Sequence, residues 1–470
     1  MQISLNSITI AFVLAVLTIG LSLLGSPLGL DKNSGYIQPV VVILGLFAIF
    51  VVELKRRLKL HLFGEIGFIY ASFIVAYTVI PAFSFIADNL SSYDPLTWLN
   101  PASSALEAHL WRHVLYLLGF VLGYLLCRGG TPISKLVNSH LQNNDFAVVV
   151  FLAGACTICL YVVAGMSASV DTYWDHYTRY DHLSWPIRKL VSLCIRLKLG
   201  IYSVLLVFLF RNYVRYKITI PLVVCAICLH DLIYSRGARI DTFIILLQVA
   251  LLYHISVRPL KLRSIAMLAI PAMFLFSFVE AFRVQGFNLD QTLDADISLV
   301  KLPSEFGAVF YAGYHLYDER AYGTLPTFEW PMLFNEFISV FTFGDFVRWN
   351  PMVWYAQNYF PDSTVPPFTL GPIAESALCG GEVNLAIRAI INGIFFAYIA
   401  RWFIRHQYRW WGVCVYAYCY ATCVLTLKYA VFFHLTPLIK TIVPVLSLVL
   451  VVKCIGRKNL GPYVEQHRPS

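Results

Sequence analysis

Apolar residues run along this chain in twelve long stretches instead of alternating with polar ones at a strand or amphipathic-helix period. As helices these stretches are long enough to cross a bilayer, whose hydrocarbon core of ~30 Å takes ~20 residues. The predicted spans cover roughly 8–25, 36–53, 66–87, 112–127, 146–165, 191–210, 218–235, 240–256, 264–281, 384–404, 412–430 and 436–452. The first lacks a basic n-region and a small-residue cleavage site, which predicts a retained helix instead of a signal peptide. The expected fold is all-α and polytopic, one integral-membrane domain over residues 1–470.

The polar interruptions are ordered. Basic clusters fall at Lys55-Arg56-Arg57-Leu58-Lys59, at Arg128 with Lys135, and at Arg211–Lys217, Arg258–Arg263, Arg401–Arg409 and Lys453–Lys458, with two apolar stretches between successive clusters. The positive-inside rule makes all six cytoplasmic and puts both termini inside, as expected in a bacterial inner membrane. The opposite, periplasmic side then receives two long loops, Met166–Lys189 and Phe282–Val383. Long loops in compact membrane domains usually carry function. The larger one, rich in Trp, Tyr, Phe and Pro, predicts a folded cap with short interfacial helices. Pro366-Pro367 followed by Thr369-Leu370-Gly371-Pro372 is a candidate opening of a re-entrant segment. No internal repeat points to an inverted-repeat transporter.

Composition agrees: 59% hydrophobic and 13% charged residues with mean hydropathy +0.69 exclude a soluble globule. The net charge of +9 follows from the loop bias and implies no nucleic-acid partner, since the basic residues hug helix ends. Nearly all of the eleven cysteines fall inside spans. Cys156 with Cys159 and Cys225 with Cys228 match CxxC, yet no second pair lies at zinc spacing, so packing is the expected role. Only Cys379 lies in a predicted external loop, which argues against a periplasmic disulfide. Of the external histidines His176, His182, His315 and His434, His315 beside Asp318, Glu319 and Arg320 is a site candidate. No Walker A sequence and no GxGxxG opens a helix, which excludes ATP and nucleotide-sugar chemistry. The short first external loop, Ser26–Gly35 with Asp31 its only acid, departs from lipid-phosphosugar mannosyltransferases of the GT-C class.

Cations at outer helix ends run against the positive-inside rule and invite a functional reading. Arg236 and Arg239, at i and i+3 of a helical turn, suit a diphosphate, because guanidinium forks make bidentate contacts to phosphate oxygens. The plainer alternative pairs Arg239 with Asp241 or lets both side chains snorkel. Arg188, Lys189, Arg196, Lys198, Arg283, Arg388, Lys428 and Lys440 are expected at the same depth, with Asp241, Glu280, Glu305, Glu336, Asp345, Glu375 and Glu382 as acids. Glycosyl transfer needs a base for the acceptor hydroxyl, and a diphosphate leaving group needs positive charge.

On these residues the chain resembles the Wzy-type O-antigen, or oligosaccharide repeat-unit, polymerases. Ser235-Arg236-Gly237-Ala238-Arg239 is similar to that family's small-residue/Arg motif, with either arginine filling the family position. Glu280-Ala281-Phe282-Arg283-Val284-Gln285-Gly286 is similar to the basic end of the span before the large loop. Gly371-Pro372-Ile373-Ala374-Glu375-Ser376 with Gly380-Gly381 is similar to the small-residue approach to a late span, and Lys428 and Lys440 to paired basic positions that are often Arg. The resemblance implies a GT-C-like, cofactor- and metal-free glycosyltransferase that moves a growing glycan from undecaprenyl diphosphate onto a lipid-linked repeat unit at the periplasmic face. It implies Glu305 or Glu375 as base with Arg236 and Arg239 as catalytic cations, and Arg283, Arg348, Arg388, Lys428 and Lys440 on the substrate diphosphates. The implied partners are the undecaprenyl-diphosphate-linked oligosaccharide, membrane lipid and a chain-length regulator protein. An O-antigen ligase and a flippase or transporter for the same lipid-linked sugars are the alternatives; gathering of charge at outer helix ends beside a large loop favours an enzyme over a flippase.

Overall fold

The computed structural model describes residues 34–58, 62–86, 103–131, 183–234, 239–261, 303–325, 351–359, 370–428 and 438–459, with scattered residues between them. The predicted spans 8–25 and 264–281 and most of 146–165 lie outside these residues. The other predicted spans each coincide with a described helix. In chain order the helices are α1 (Ser34–Leu58), α2 (Ile66–Ile86), α3 (Ser103–Arg128), α4 (Trp185–Arg211), α5 (Thr219–Tyr234), α6 (Arg239–Ser256), α7 (Pro303–Ala321), α8 (Pro351–Tyr359), α9 (Pro372–Leu378), α10 (Gly381–His406), α11 (Trp410–Thr422) and α12 (Val443–Asn459). A 3-10 segment, Cys423–Leu427, continues α11, and a π-helical turn, Leu438–Ile442, opens α12. Five of the described helices, namely α1, α3, α4, α10 and α11 with its extension, are long and apolar enough to cross a bilayer. The apolar runs of α2, α5, α6 and α12 are shorter.

Both faces of these helices are apolar, because lipid replaces water as their outer solvent. On α1, Ile43, Leu46, Phe50 and Leu54 are buried at helical spacing, while Val41, Leu44 and Val52 are exposed. The closest helix pair is α3 with α10. A Cβ on Gly119 would lie 2.8 Å from the Ala389 Cβ, and one on Gly393 would lie 2.7 Å from the Tyr124 backbone nitrogen. Gly119 and Gly123 form a GxxxG pair whose missing side chains let the two backbones touch, the packing that substitutes for hydrophobic driving force within lipid.

The helix starts differ from the sequence expectation where polar residues find partners. The third described span begins at Ser103 instead of near 112, since Arg112 and His113 are paired across the bundle. The helix predicted from 191 begins at Trp185, with Ser184 at its N-cap and Pro186 in its first turn, so the last residues of the expected Met166–Lys189 loop are helical.

The basic clusters gather at one end of the bundle. Arg57 donates to the Leu125 carbonyl (2.7 Å), Arg401 to the Cys127 carbonyl (3.1 Å) and Arg211 to the Tyr408 carbonyl (2.9 Å). Arg128 is clasped by Glu65, which also accepts from the Tyr124 hydroxyl at 2.8 Å. Tyr416 and Tyr420 of α11 donate to the Gly64 and Phe63 carbonyls, closing the α1–α2 turn onto the same end.

The described parts of the Phe282–Val383 stretch sit at the opposite end. Here α7 inserts Phe310, Tyr311 and Tyr314 among Val40 of α1, Ala82 of α2 and Leu106 and Leu110 of α3. It is a 19-residue helix docked on the bundle, longer than the short interfacial helices expected. The short helix α9 has most of its residues buried and lies between α7, α3 and α10. It joins α10 through Gly380 and Gly381, whose φ values of 70° and 60° favour glycine.

Candidate functional site

Polar side chains recur at helical spacing on two of the most apolar helices. His109, Arg112, His113 and Tyr116 share one face of α3, and Asn384, Arg388 and Asn392 share one face of α10. These stripes, α9 and α7 converge at the end away from the basic clusters.

At the centre, the Arg388 Nη1 donates to the Glu375 Oε2 at 2.8 Å, and the Arg388 Nε donates to the Asn384 Oδ1. Arg388 is 1% exposed and Glu375 5%. Burying such a pair is tolerated only when each charge is met, since either one alone would cost several kcal/mol (~3–5). Deeper along α10, the Asn392 amide donates to the hydroxyls of Tyr70 (3.1 Å) and Tyr116 (2.8 Å), which lie 2.8 Å apart. Nearer the end of the bundle, Arg112 donates to Glu382 at 2.9 Å, and its guanidinium carbon lies 3.8 Å from the Tyr317 ring centroid.

The helix α9 that carries Glu375 is pinned by α7. The Ser376 hydroxyl donates to the Ile373 carbonyl (2.6 Å), so the Tyr317 hydroxyl is the donor in its 2.8 Å bond to Ser376. Burial pushes the Tyr317 phenol up to about 12. Arg320 donates to the Ala377 carbonyl at 2.6 Å, satisfying an orphan acceptor at the end of α9. Further along the cap, His315 Nδ1 lies 3.2 Å from the Tyr355 hydroxyl and its Nε2 3.9 Å from Glu319. Burial holds this imidazole below its usual range, against the pull of Glu319 and Asp318.

Beside this network lies a small cavity of about 20 Å³, room for about one water molecule. It is lined by Tyr77, His113, Tyr116, Val309, Pro372 and Ile373, among others. The Thr78 hydroxyl donates to the Ile74 carbonyl, so His113 Nδ1 carries the proton and donates to Thr78 Oγ1 at 2.9 Å. His113 Nε2 lies 3.3 Å from His109 Nε2. Gly313 makes room for this pair, because a Cβ there would sit 2.8 Å from the His109 Cε1.

A second polar group lies between α4 and α6. Lys198, 1% exposed, donates to Asp241 Oδ2 at 3.2 Å. Thirteen residues separate Lys198 from Arg211, about 20 Å along a helix, so the pair sits near the middle of the bundle. Asp241 is thus a partner of Lys198. The π-helical turn bearing Lys440 packs on the same helix, with Thr441 against Gly200.

Of the residues predicted for the site, Glu375 and Arg388 are brought into contact. Lys428 follows Leu427, whose carbonyl abuts Gly371 at the start of α9, so it belongs to the same neighbourhood. Arg388 and Lys198 were expected to present their charges at outer helix ends; both are turned inward, each onto a carboxylate. Lys440 lies apart, by the Lys198 group. Arg239 is the first residue of α6 and Glu305 the third of α7, with side chains outside the described residues. Arg236, Arg283, Arg348, Cys156, His176, His182 and His434 also lie outside. Sequence reasoning missed His109, Arg112, His113, Tyr116 and Asn392, which the three- and four-residue spacing of polar residues within apolar helices would have revealed.

Among the described residues no group of three or more His, Cys, Asp or Glu side chains is placed to hold a metal. Cys159 and Cys194 lie 3.6 Å apart, sulfur to sulfur, as free thiols.

No protein-family model, curated protein or solved structure matches the chain. Fold and sequence together define a class: a multi-pass helical membrane protein, with a buried polar network beneath a helical cap at the end opposite its basic clusters.

Proposed function

We propose that this protein is an O-antigen, or oligosaccharide repeat-unit, polymerase of the bacterial inner membrane. In this reading the basic end faces the cytoplasm and the capped end the periplasm. The observation that carries it is the buried Glu375–Arg388 pair under α7 and α9, an acid and a cation held together at the end where lipid-linked sugars are presented.

The chemistry needs both charges at different moments. In the resting arrangement Glu375 neutralises Arg388. A diphosphate oxygen that takes over the Arg388 guanidinium releases the carboxylate, which then accepts the proton of the acceptor hydroxyl. The acceptor oxygen forms its bond to the donor's anomeric carbon as the bond from that carbon to the diphosphate breaks. Undecaprenyl diphosphate leaves with the electron pair, its charge held by Arg388 and Lys428. Arg112 and Glu382 form the outermost ion pair of the network, with the Arg112 guanidinium over the Tyr317 ring. Glu305, Arg236, Arg239, Arg283 and Arg348, whose side chains lie outside the described residues, remain candidates for the same roles.

The test is purified protein given only undecaprenyl-diphosphate-linked repeat units, without nucleotide sugar, ATP or added metal. Longer lipid-linked glycans are the expected product, and Glu375→Gln should slow their formation roughly a hundredfold. A deletion strain should retain lipid A core bearing one repeat unit. Loss of that band with accumulation of lipid-linked polymer would assign the protein as a ligase instead, and loss of both would assign a flippase.

A further inference from the structure

At the basic end, far from the capped site, two unmet requirements for negative charge face each other. The first is the start of α11. The first N–H groups of a helix have no acceptor within it and carry the positive end of its dipole. Most helices meet them with Ser, Thr, Asp or Asn at the N-cap, or with acids in the first turn. Here the N-cap is Arg409, which has no acceptor atom and makes no cap bond, and the first turn holds no acid.

The second is Arg211. It is 3% exposed, its Nη2 donates to the Tyr408 carbonyl, and its Nε has no hydrogen-bond partner. No carboxylate pairs with it among the described residues. A buried guanidinium with one neutral acceptor is an expensive arrangement unless an anion completes it. The last turn of α4 lies beside the first turn of α11, with Phe208 and Trp410 rings 6.0 Å apart. Arg211 is one turn beyond Phe208, about 4.5 Å further along the axis. Its bond to the Tyr408 carbonyl puts the guanidinium beside the Tyr408–Arg409 turn that leads into α11. Exposed Arg215, Lys217, Arg405 and Arg409 lie on the segments that follow α4 and lead into α11.

We propose that Arg211 and the N-terminus of α11 form a binding site for a phosphate-class anion. Arg211 Nε and the N–H groups of Trp410, Trp411 and Gly412 are the donors, and the exposed arginines and Lys217 draw the anion in. The chemistry fits a phosphodiester of an anionic lipid headgroup and a free phosphate alike. Exposed Val214, Ile218 and Leu222, which follow Arg211 in the chain, suit acyl chains. The site is independent of the proposed transferase activity.

Full-length protein purified in an uncharged maltoside detergent is titrated with phosphatidylglycerol and, separately, with inorganic phosphate. Retained adducts are counted by native mass spectrometry and the melting temperature is followed. One tight adduct and a rise of several degrees are expected with at least one probe. Phosphatidylglycerol alone identifies a lipid site, and a response to phosphate as well identifies a general phosphate site. Arg211→Gln should weaken that adduct at least tenfold. If Arg211→Gln does not accumulate, Arg211→Lys is measured instead; it keeps the charge without the Nε donor, and affinity should fall at least threefold. Absence of a tight adduct with both probes, or the same affinity in the Arg211 variant, overturns the proposal.

Discussion

Glu375 and Arg388 are joined at 2.8 Å across the Gly380–Gly381 turn, so a seven-residue helix and a 26-residue one are locked by a single buried ion pair. Removing either partner strands the other charge in the interior, which typically costs about 3–5 kcal/mol. Arg388→Ala should therefore lower the melting temperature in detergent more than Arg112→Ala, whose partner Glu382 is half exposed. The double variant Glu375→Gln with Arg388→Met should lose less than the two single losses added. Additive losses in that cycle would show that the pair is not coupled.

The α3–α10 contact predicts a sharp dependence on side-chain size. Gly393→Ala puts a methyl group against the Phe120 and Tyr124 backbone, where no rotamer can give way. A loss of about 1–3 kcal/mol is expected from such overpacking. Gly45→Ala on α1, where a Cβ meets nothing within 4 Å, is the control and should be neutral or slightly stabilising. Chemical-denaturant midpoints of the two variants check the contrast.

The cap should loosen in acid. His315 is held neutral by burial, so its folded pKa lies below the ordinary imidazole value of about 6.5. Stability from the neutral ring is present above that value and is lost as pH falls toward and through the folded pKa, because the unfolded chain then binds the proton more readily. Asp318 and Glu319 on α7 soften the effect, and the Tyr355 and Tyr359 rings of α8 face the imidazole without accepting charge. Limited proteolysis of α7 and α8 between pH 8 and pH 5 should rise in wild type and flatten in His315→Gln. An unchanged slope in the variant would assign the acid sensitivity to another group.

Orientation can be read by labelling single cysteines in a cysteine-free background. Tyr322, 73% exposed at the end of α7, should react from the periplasmic side in intact cells. Lys217, between α4 and α5 at the basic end, should react only once the inner membrane is permeable. The reverse pattern would invert the topology.

What could be read from the chain divides along physical lines. The spans that fall on described helices were legible because apolar length is a property of contiguous residues, and so was the clustering of Lys55–Arg57, Arg128, Arg211 and Arg401 at one end. The positions of Arg388 and Lys198 were not, because charge at a helix end says nothing about which way the side chain turns. Arg388 turns inward only because Glu375 comes from α9, and Lys198 only because Asp241 opens α6. The His109–His113 pair escaped notice because the apolar window placed the helix start at 112, between the two residues. The glycines of α3 show their purpose only against Ala389 and Gly393, far downstream.

That last distance has a consequence for biosynthesis. Tyr116 and its partner Asn392 are 276 residues apart. At ribosomal speeds of about 5–20 residues per second, α3 waits about 14–55 s after its own synthesis before α10 exists. Throughout that interval its bare glycine ridge and its Arg112 stand in the membrane without Ala389, Gly393 and Glu382. A nascent chain stalled anywhere before α10 is therefore a substrate for membrane quality control, and the last third of the protein decides whether the first third survives.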